Sequence, residues 1–308
     1  MSLRGLFHLA VIYIVWGSTY LAIRVAVREG AGFPPFTMAA MRVFAASAIL
    51  FLWGRALKGR FRLTRRQLFI LGTSAILLWV GGNGMVGWAE QRVDSGYAAL
   101  LVGCMPIWVA IMEALIDRRR PSLRLFGALL VGLSGIAVLN GPVILKAETG
   151  SLAASLALVF ATISWGAGSL LQRRNPAPIA LEVSSGYQQA IGGAGLLLTA
   201  VLLGEPRPAP IPQAWTAWGY LVVFGSVFAF TSFVKALRLL PTNIVMTYAY
   251  VNPVIAVFLG WVLLGEVVTW WTLGGAVLVV LGVMGVFHEK RREQRPSGQT
   301  PAGRPHSL

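Results

Sequence analysis

Ten apolar stretches of near-membrane length, separated by short loops that alternate between rich and poor in Lys and Arg, run the length of this 308-residue chain. A helix needs about 20 apolar residues to cross the hydrocarbon layer, and only a helix or closed barrel satisfies its own backbone polar groups there. Helices are therefore predicted near 6–27, 34–54, 67–88, 95–116, 122–140, 152–172, 180–203, 214–236, 243–264 and 269–287. The expected fold class is an all-α membrane protein with ten transmembrane helices. Ten is even, so both termini share one side.

The basic residues choose the side. The N-terminus, the even-numbered loops and the tail hold 20 of the 26 Lys and Arg, among them Arg60, Arg65, Arg119, Arg174 and Lys290. The odd loops hold four, Arg28, Arg92, Lys146 and Arg207. Loops that retain Lys and Arg stay in the cytoplasm, so both ends are expected there, in the bacterial inner membrane. The formal charge of +15 then has a topological cause and calls for no nucleic acid.

Composition narrows the function classes. Charged residues make up 12% of the chain and apolar residues 56%, which describes a surface that meets lipid. No stretch is long enough for a separate water-soluble domain, and residues 289–308, rich in Arg, Gln, Pro and Gly, form an expected disordered basic cytoplasmic tail. The lone Cys104 sits in an apolar helix as a packing residue, and the first helix lacks the short apolar core and cleavage site of a signal peptide. Catalysis has little to work with: His8, His288 and His306 lie at the chain ends, no Cys, His or carboxylate cluster has metal-ligand spacing, and no phosphate-binding glycine loop occurs. The expectation is a non-enzyme with no metal, cofactor or ATP engine.

The chain also matches itself. An offset of 147 aligns the third to fifth helices with the eighth to tenth, bringing Gly72 to Gly219, Pro106 to Pro253, Gly127 to Gly274 and Gly135 to Gly282. An offset of 149 places Trp16-Gly17 on Trp165-Gly166. Each unit then holds five helices, an odd number, so the second enters the membrane upside down relative to the first. Residues 1–145 and 146–288 are thus expected to form two inverted five-helix repeats, an arrangement that suits alternating access to one central site. Pro106 and Pro253 lie about 11 residues into their helices, near mid-bilayer, and are candidate hinges; a static kink reads the same pattern equally well.

Specific residues carry a family resemblance. Trp16-Gly17-Ser18-Thr19-Tyr20, Pro34-Pro35 with Arg42, Gly81-Gly82-Asn83-Gly84-Met85, Ser164-Trp165-Gly166 and Tyr248-Ala249-Tyr250-Val251-Asn252-Pro253 ahead of Leu264-Gly265-Glu266 resemble the EamA family of the drug/metabolite transporter superfamily over nearly the whole chain. Within it the chain is similar to inner-membrane transporters and, in architecture, to exporters of aromatic amino acids. The resemblance implies two EamA repeats around a cavity lined by helices one, three, four, six, eight and nine, with small metabolites moving outward. The first repeat has Arg119 where Glu266 would recur, which puts a shared carboxylate role in doubt.

Helical spacing names the residues expected to meet cargo. In the third helix Ile76, Trp79, Val80 and Asn83 share a face, matched in the eighth by Val223, Ser226, Val227 and Phe230; Tyr97, Leu101 and Met105 stack in the fourth, and Ile244, Tyr248 and Asn252 in the ninth. The substrate-binding candidates are Trp16, Ser18, Trp79, Asn83, Tyr97, Leu101, Trp165, Ser226, Phe230, Tyr248 and Asn252. For the asparagines a helix-to-helix hydrogen bond is an equal alternative, and for the tryptophans simple volume filling is another. Arg42, two turns into the second helix, reads as a structural residue that snorkels or meets a carbonyl. Glu29, Glu90, Asp94, Glu113, Asp117, Glu148, Glu182, Glu205 and Glu266 all fall in loops or near helix ends, and the missing mid-span acid argues against strict efflux of cationic drugs. Export of amino acids with aromatic or apolar side chains is the expected function. Efflux of drug-like amphiphiles and a non-transporting membrane scaffold are the alternatives, partners being a small-molecule substrate and lipid, with a monomer allowed.

Overall fold

The computed structural model describes residues 2–27, 32–93, 95–120, 122–146, 152–264 and 267–293. Helix occupies each predicted interval: α1 (Leu3–Val27), α2 (Pro35–Ala56), α3 (Arg65–Glu90), α4 (Ser95–Val102) with α5 (Met105–Asp117), α6 (Leu123–Leu139), a short α7 (Gly141–Lys146), α8 (Leu152–Arg174), α9 (Leu181–Leu202), α10 (Pro212–Leu239), α11 (Thr242–Val245) with α12 (Tyr248–Leu264), and α13 (Trp270–Glu293). Among the described residues seven helices are long and apolar enough to cross a membrane, and Leu3–Thr19 and Leu123–Leu139 are shorter apolar helices. The last helix runs six residues past its predicted end, where Lys290 bonds Glu293 at 2.8 Å and the basic residues of its last turn oppose the helix dipole. Residues 294–308 of the expected tail lie outside the described residues.

Local chemistry sets the helix starts. Thr64 and Gln67 form a reciprocal capping box on α3, and Ser122 accepts from the Leu125 N–H at the start of α6. The start of α2 has Pro34-Pro35 and no side-chain cap of its own. Its free amides are met from the distant Glu205, whose carboxylate accepts from the N–H groups of Phe36 (3.0 Å) and Thr37 (2.7 Å) and from the Thr37 hydroxyl (2.7 Å). Glu205→Ala is expected to destabilise the protein by about 1–2 kcal/mol, the usual range for a lost N-cap, read as a lower melting temperature in detergent.

Two pairs of helices bind the halves together, each in antiparallel fashion. On α2 and α9, Gly54 faces Val183 while Val43 faces Gly193, and the Ser47 hydroxyl donates to the Gly186 carbonyl at 2.9 Å. On α6 and α13 the backbones touch: a Cβ on Gly282 would lie 2.4 Å from the Gly132 nitrogen, and one on Gly135 would lie 2.5 Å from the Val279 nitrogen. Adding 147 to Gly135 and subtracting 147 from Val279 gives Gly282 and Gly132, so the seam uses one contact twice.

The first helix of each half packs into the other half. α1 lies against α10 and α12, and α8 lies against α3, α4 and α5. Both crossings meet a π-helical stretch, Ile76–Gly84 in α3 and Leu221–Ala229 in α10. A π stretch displaces the regular i→i+4 ladder and needs outside donors for carbonyls it leaves free. Ser164 of α8 supplies one to the Leu77 carbonyl (2.8 Å), and Trp16 of α1 supplies one to the Gly225 carbonyl (3.0 Å). Gln189 of α9 donates to the neighbouring Ser226 carbonyl at 2.9 Å.

Breaks interrupt the fourth and ninth predicted helices. Residues 103–104 separate α4 from α5, leaving Pro106 in the first turn of α5, where its missing N–H loses no helical bond. Residues 246–247 separate α11 from α12, and Pro253 lies inside α12. Although the two prolines correspond at the 147 offset, only the first sits beside its break.

Candidate functional site

The broken helices, both π stretches and the crossing helices α1 and α8 converge on one cavity of about 130 Å³. A dry engineered cavity of roughly 150 Å³ accepts benzene, so the space suits one aromatic ring or a comparable group. Its walls come from α1 (Trp16, Thr19, Ile23, Val27), α2 (Pro35, Met38, Ala39, Arg42), α3 (Trp79, Gly82, Asn83, Val86, Gly87, Glu90), α4 and α5 (Val102, Met105), α8 (Ala161, Thr162, Trp165), α10 (Gly225) and α12 (Tyr248, Asn252). Val27, Pro35 and Glu90 are terminal residues of their helices, so the cavity reaches the end of the bundle where α1 stops and α2 begins.

Aromatic rings form its floor. Trp16 meets Tyr248 edge-on with centroids 4.9 Å apart and Trp165 at 5.8 Å, while Trp79 meets Trp165 at 6.2 Å. Phe233 lies beneath, 5.2 Å from Trp16 and 5.7 Å from Trp165. Edge-to-face contacts at these separations hold rings rigidly and present apolar faces. Gly192 lets Trp79 in, because a Cβ there would stand 2.5 Å from the indole.

Beyond the floor, toward the end carrying most Lys and Arg, polar side chains tie the helices shut. Arg173 of α8 approaches Glu113 of α5 at 3.8 Å and donates through Nε to the Leu240 carbonyl at 3.2 Å. Asn243 of α11 donates to the same Glu113 carboxylate, and Arg174 pairs with Asp117 at 2.7 Å. The Tyr13 and Thr247 hydroxyls bond one another between α1 and the α11–α12 break.

One wall is polar. Arg42 is 5% exposed, and its Nη2 donates to the Asn83 Oδ1 at 3.3 Å while its guanidinium lies 5.5 Å from the Trp79 ring centre. Arg42 Nε, Trp79 Nε1, Trp165 Nε1 and Asn252 Oδ1 are buried with no hydrogen-bond partner among the described residues. Of the sixteen such atoms among the described residues, these four belong to side chains that line the cavity, where a ligand's polar groups would be met.

Of the sequence candidates, Trp16, Trp79, Asn83, Trp165, Tyr248 and Asn252 line the cavity. Ser18 instead donates to the Val15 carbonyl (2.7 Å) and bonds the Tyr220 hydroxyl (2.6 Å). Leu101 packs in a side cluster with Ala98 and Leu158, Ser226 is buried within the π stretch of α10, and Phe230 stands behind Trp79 with ring centres 5.0 Å apart. The Tyr97 side chain lies outside the described residues. Ile76, assigned by spacing to the Trp79 face, is 41% exposed on the outside of the bundle. Sequence spacing missed Arg42 and Glu90, and the family resemblance left out the second helix. The Pro35, Met38, Ala39, Arg42 rhythm on α2 is the signal that would have found it, since these residues repeat at intervals of three and four.

Comparison with known proteins adds an independent line. The profile of the EamA-like transporter family matches residues 3–141 and again 152–288. The chain is 34% identical over 280 residues to the uncharacterized inner membrane transporter YedA of Escherichia coli K12, covering 88% of this chain and 89% of that one. It is 24% identical to the uncharacterized transporter YoaV of Bacillus subtilis, over 92% and 96% of the two chains. It is also 24% identical to an S-adenosylmethionine/S-adenosylhomocysteine transporter of Chlamydia trachomatis, over 91% and 88%. A crystal structure with 19% identity superposes with a TM-score of 0.76 over 96% of this chain and 100% of its own.

Proposed function

Because the chain belongs to the EamA-like transporter family, we propose that it is a secondary transporter that exports amino acids with aromatic or apolar side chains across the bacterial inner membrane by alternating access. The observation that carries this reading is the aromatic-floored cavity at the meeting of the two family units, with orphaned polar atoms on its walls. An aromatic or aliphatic side chain finds apolar ring faces there, and backbone-like polar groups find Arg42, Asn83 and Asn252.

In this reading all ten helical segments cross the membrane as two inverted repeats with cytoplasmic termini. The seam that repeats one contact and the exchange of α1 and α8 between halves support the symmetry. α9 is polar for a crossing helix, but its Ser184, Ser185, Gln188 and Gln189 are buried against protein, as intramembrane polar residues generally are. The basic end faces the cytoplasm. The tied helices around Glu113 then close the inner side while the cavity reaches the outer one, the arrangement of an outward-facing carrier. Export as the direction rests on the family resemblance, because a carrier moves cargo down whatever gradient couples to it.

Glu90 favours a second reading. It ends α3 as the sequence suggests, yet it lines the cavity, so an acid is present to meet an amphiphilic cation. Proteoliposome counterflow with labelled Phe, Trp, Tyr and Leu beside a labelled lipophilic cation separates the two. Saturable exchange of the amino acids supports amino acid export. Exchange of the cation alone overturns it in favour of amphiphile efflux, and exchange of none removes both.

A further inference from the structure

We propose that Arg42 is the residue that selects cargo by its carboxylate, making this a carrier for molecules that join a carboxylate to an apolar or aromatic body. The inference deepens the export reading and rests on it for the presence of cargo in the cavity. Arg42 is 95% removed from solvent, lines the cavity, and has no carboxylate within ion-pair distance among the described residues. A buried cation without a counter-ion is strongly disfavoured, so a fold that keeps one at its central cavity keeps it for an anion that arrives. A guanidinium carries five N–H donors in a planar fork suited to two carboxylate oxygens. Among the described residues only one of the five is spent, on Asn83 Oδ1.

The neighbours hold that fork ready. Asn83 accepts from Nη2 and Trp79 lies 5.5 Å from the guanidinium carbon, which fixes the plane without neutralising the charge. Trp79 Nε1 is an unused buried donor close to the same group. A carboxylate docked on Arg42 has its attached ring against the Trp16, Trp165 and Tyr248 floor. Glu90 sits seven residues beyond Asn83 on α3, about 10 Å along the axis from it at 1.5 Å per residue, and makes no ion pair with Arg42 among the described residues.

The test uses full-length protein in detergent and in proteoliposomes. Wild-type protein is expected to gain thermal stability from indole-3-acetate and little from indole-3-acetamide, a pair that differs only in the charged group. Equal stabilisation by both overturns the proposal without any variant being made. Arg42→Gln is expected to lose the response to indole-3-acetate and to raise the counterflow KM for Phe at least tenfold, while Arg42→Lys, with charge but no fork, falls between. A folded Arg42→Gln protein with wild-type KM overturns the Arg42 assignment and leaves amino acid export standing. Wild-type protein that exchanges no amino acid but still distinguishes the acid from the amide supports the anion site and overturns the export reading.

Discussion

Gly282→Ala should destabilise the protein strongly, although it adds one methyl group to a helix and improves local helix propensity. The added Cβ would lie 2.4 Å from the Gly132 nitrogen, 2.5 Å from its Cα and 2.9 Å from the Ala128 carbonyl oxygen. All three are backbone atoms, which have no rotamer to move into, so α6 and α13 must separate along their whole glycine seam. Gly135 and Gly275 meet backbone at 2.5 Å in the same seam and would lose contact together with it. Without a hydrophobic drive inside lipid, close packing of small residues is what holds such helices. The expected penalty is about 3 kcal/mol or more, at the upper end of overpacking costs, and a melting temperature in detergent lower by roughly 5–10 °C. Gly127→Ala on the facing helix α6 is the control: no atom lies within 4 Å of its Cβ position, so it should match or slightly exceed the parent. Equal melting of Gly282→Ala and the parent would remove the seam as the element that joins the halves.

That pair of glycines shows where sequence reading ends. At the 147 offset, Gly127 with Gly274 and Gly135 with Gly282 look alike, but the first pair meets open space or ordinary contact and the second meets backbone. The helix intervals were legible because hydrophobic length is a property of the chain alone. The faces were less so, because they depend on the ladder between turns. The π stretch at Ile76–Gly84 breaks the regular spacing, and its start points Ile76 outward while Trp79 and Asn83 remain on the cavity. By type alone Arg42 is a long cation that reaches for water, whereas its place between Asn83 and Trp79 is set by α2 packing along α9. Glu205 likewise caps a helix 169 residues away, a partnership no local pattern encodes.

Removing either half of the aromatic floor should abolish saturable transport while leaving insertion intact. Trp79 and Tyr248 come from opposite halves of the chain and approach the cavity on α3 and α12, with Trp16 and Trp165 between them. Tyr248 donates its hydroxyl to the Met105 sulfur at 3.4 Å, a weak acceptor, and presents its ring to Trp16 and Phe233. Desolvated aromatic anchors in recognition sites contribute about 2 kcal/mol or more each, close to 30-fold in affinity. Trp79→Ala or Tyr248→Ala should therefore raise the counterflow KM for Phe by about 30-fold or more, enough to lose saturation at accessible concentrations, whereas Tyr248→Phe keeps the ring and should stay within a few-fold of the parent. Trp79→Ala also leaves a hole against Phe230 and Gly192, so membrane yield and a monodisperse size-exclusion profile must accompany the kinetics. If both alanine variants exchange Phe with parental kinetics, cargo does not pass over this floor, and the orphaned indole and amide groups around it serve the resting fold instead.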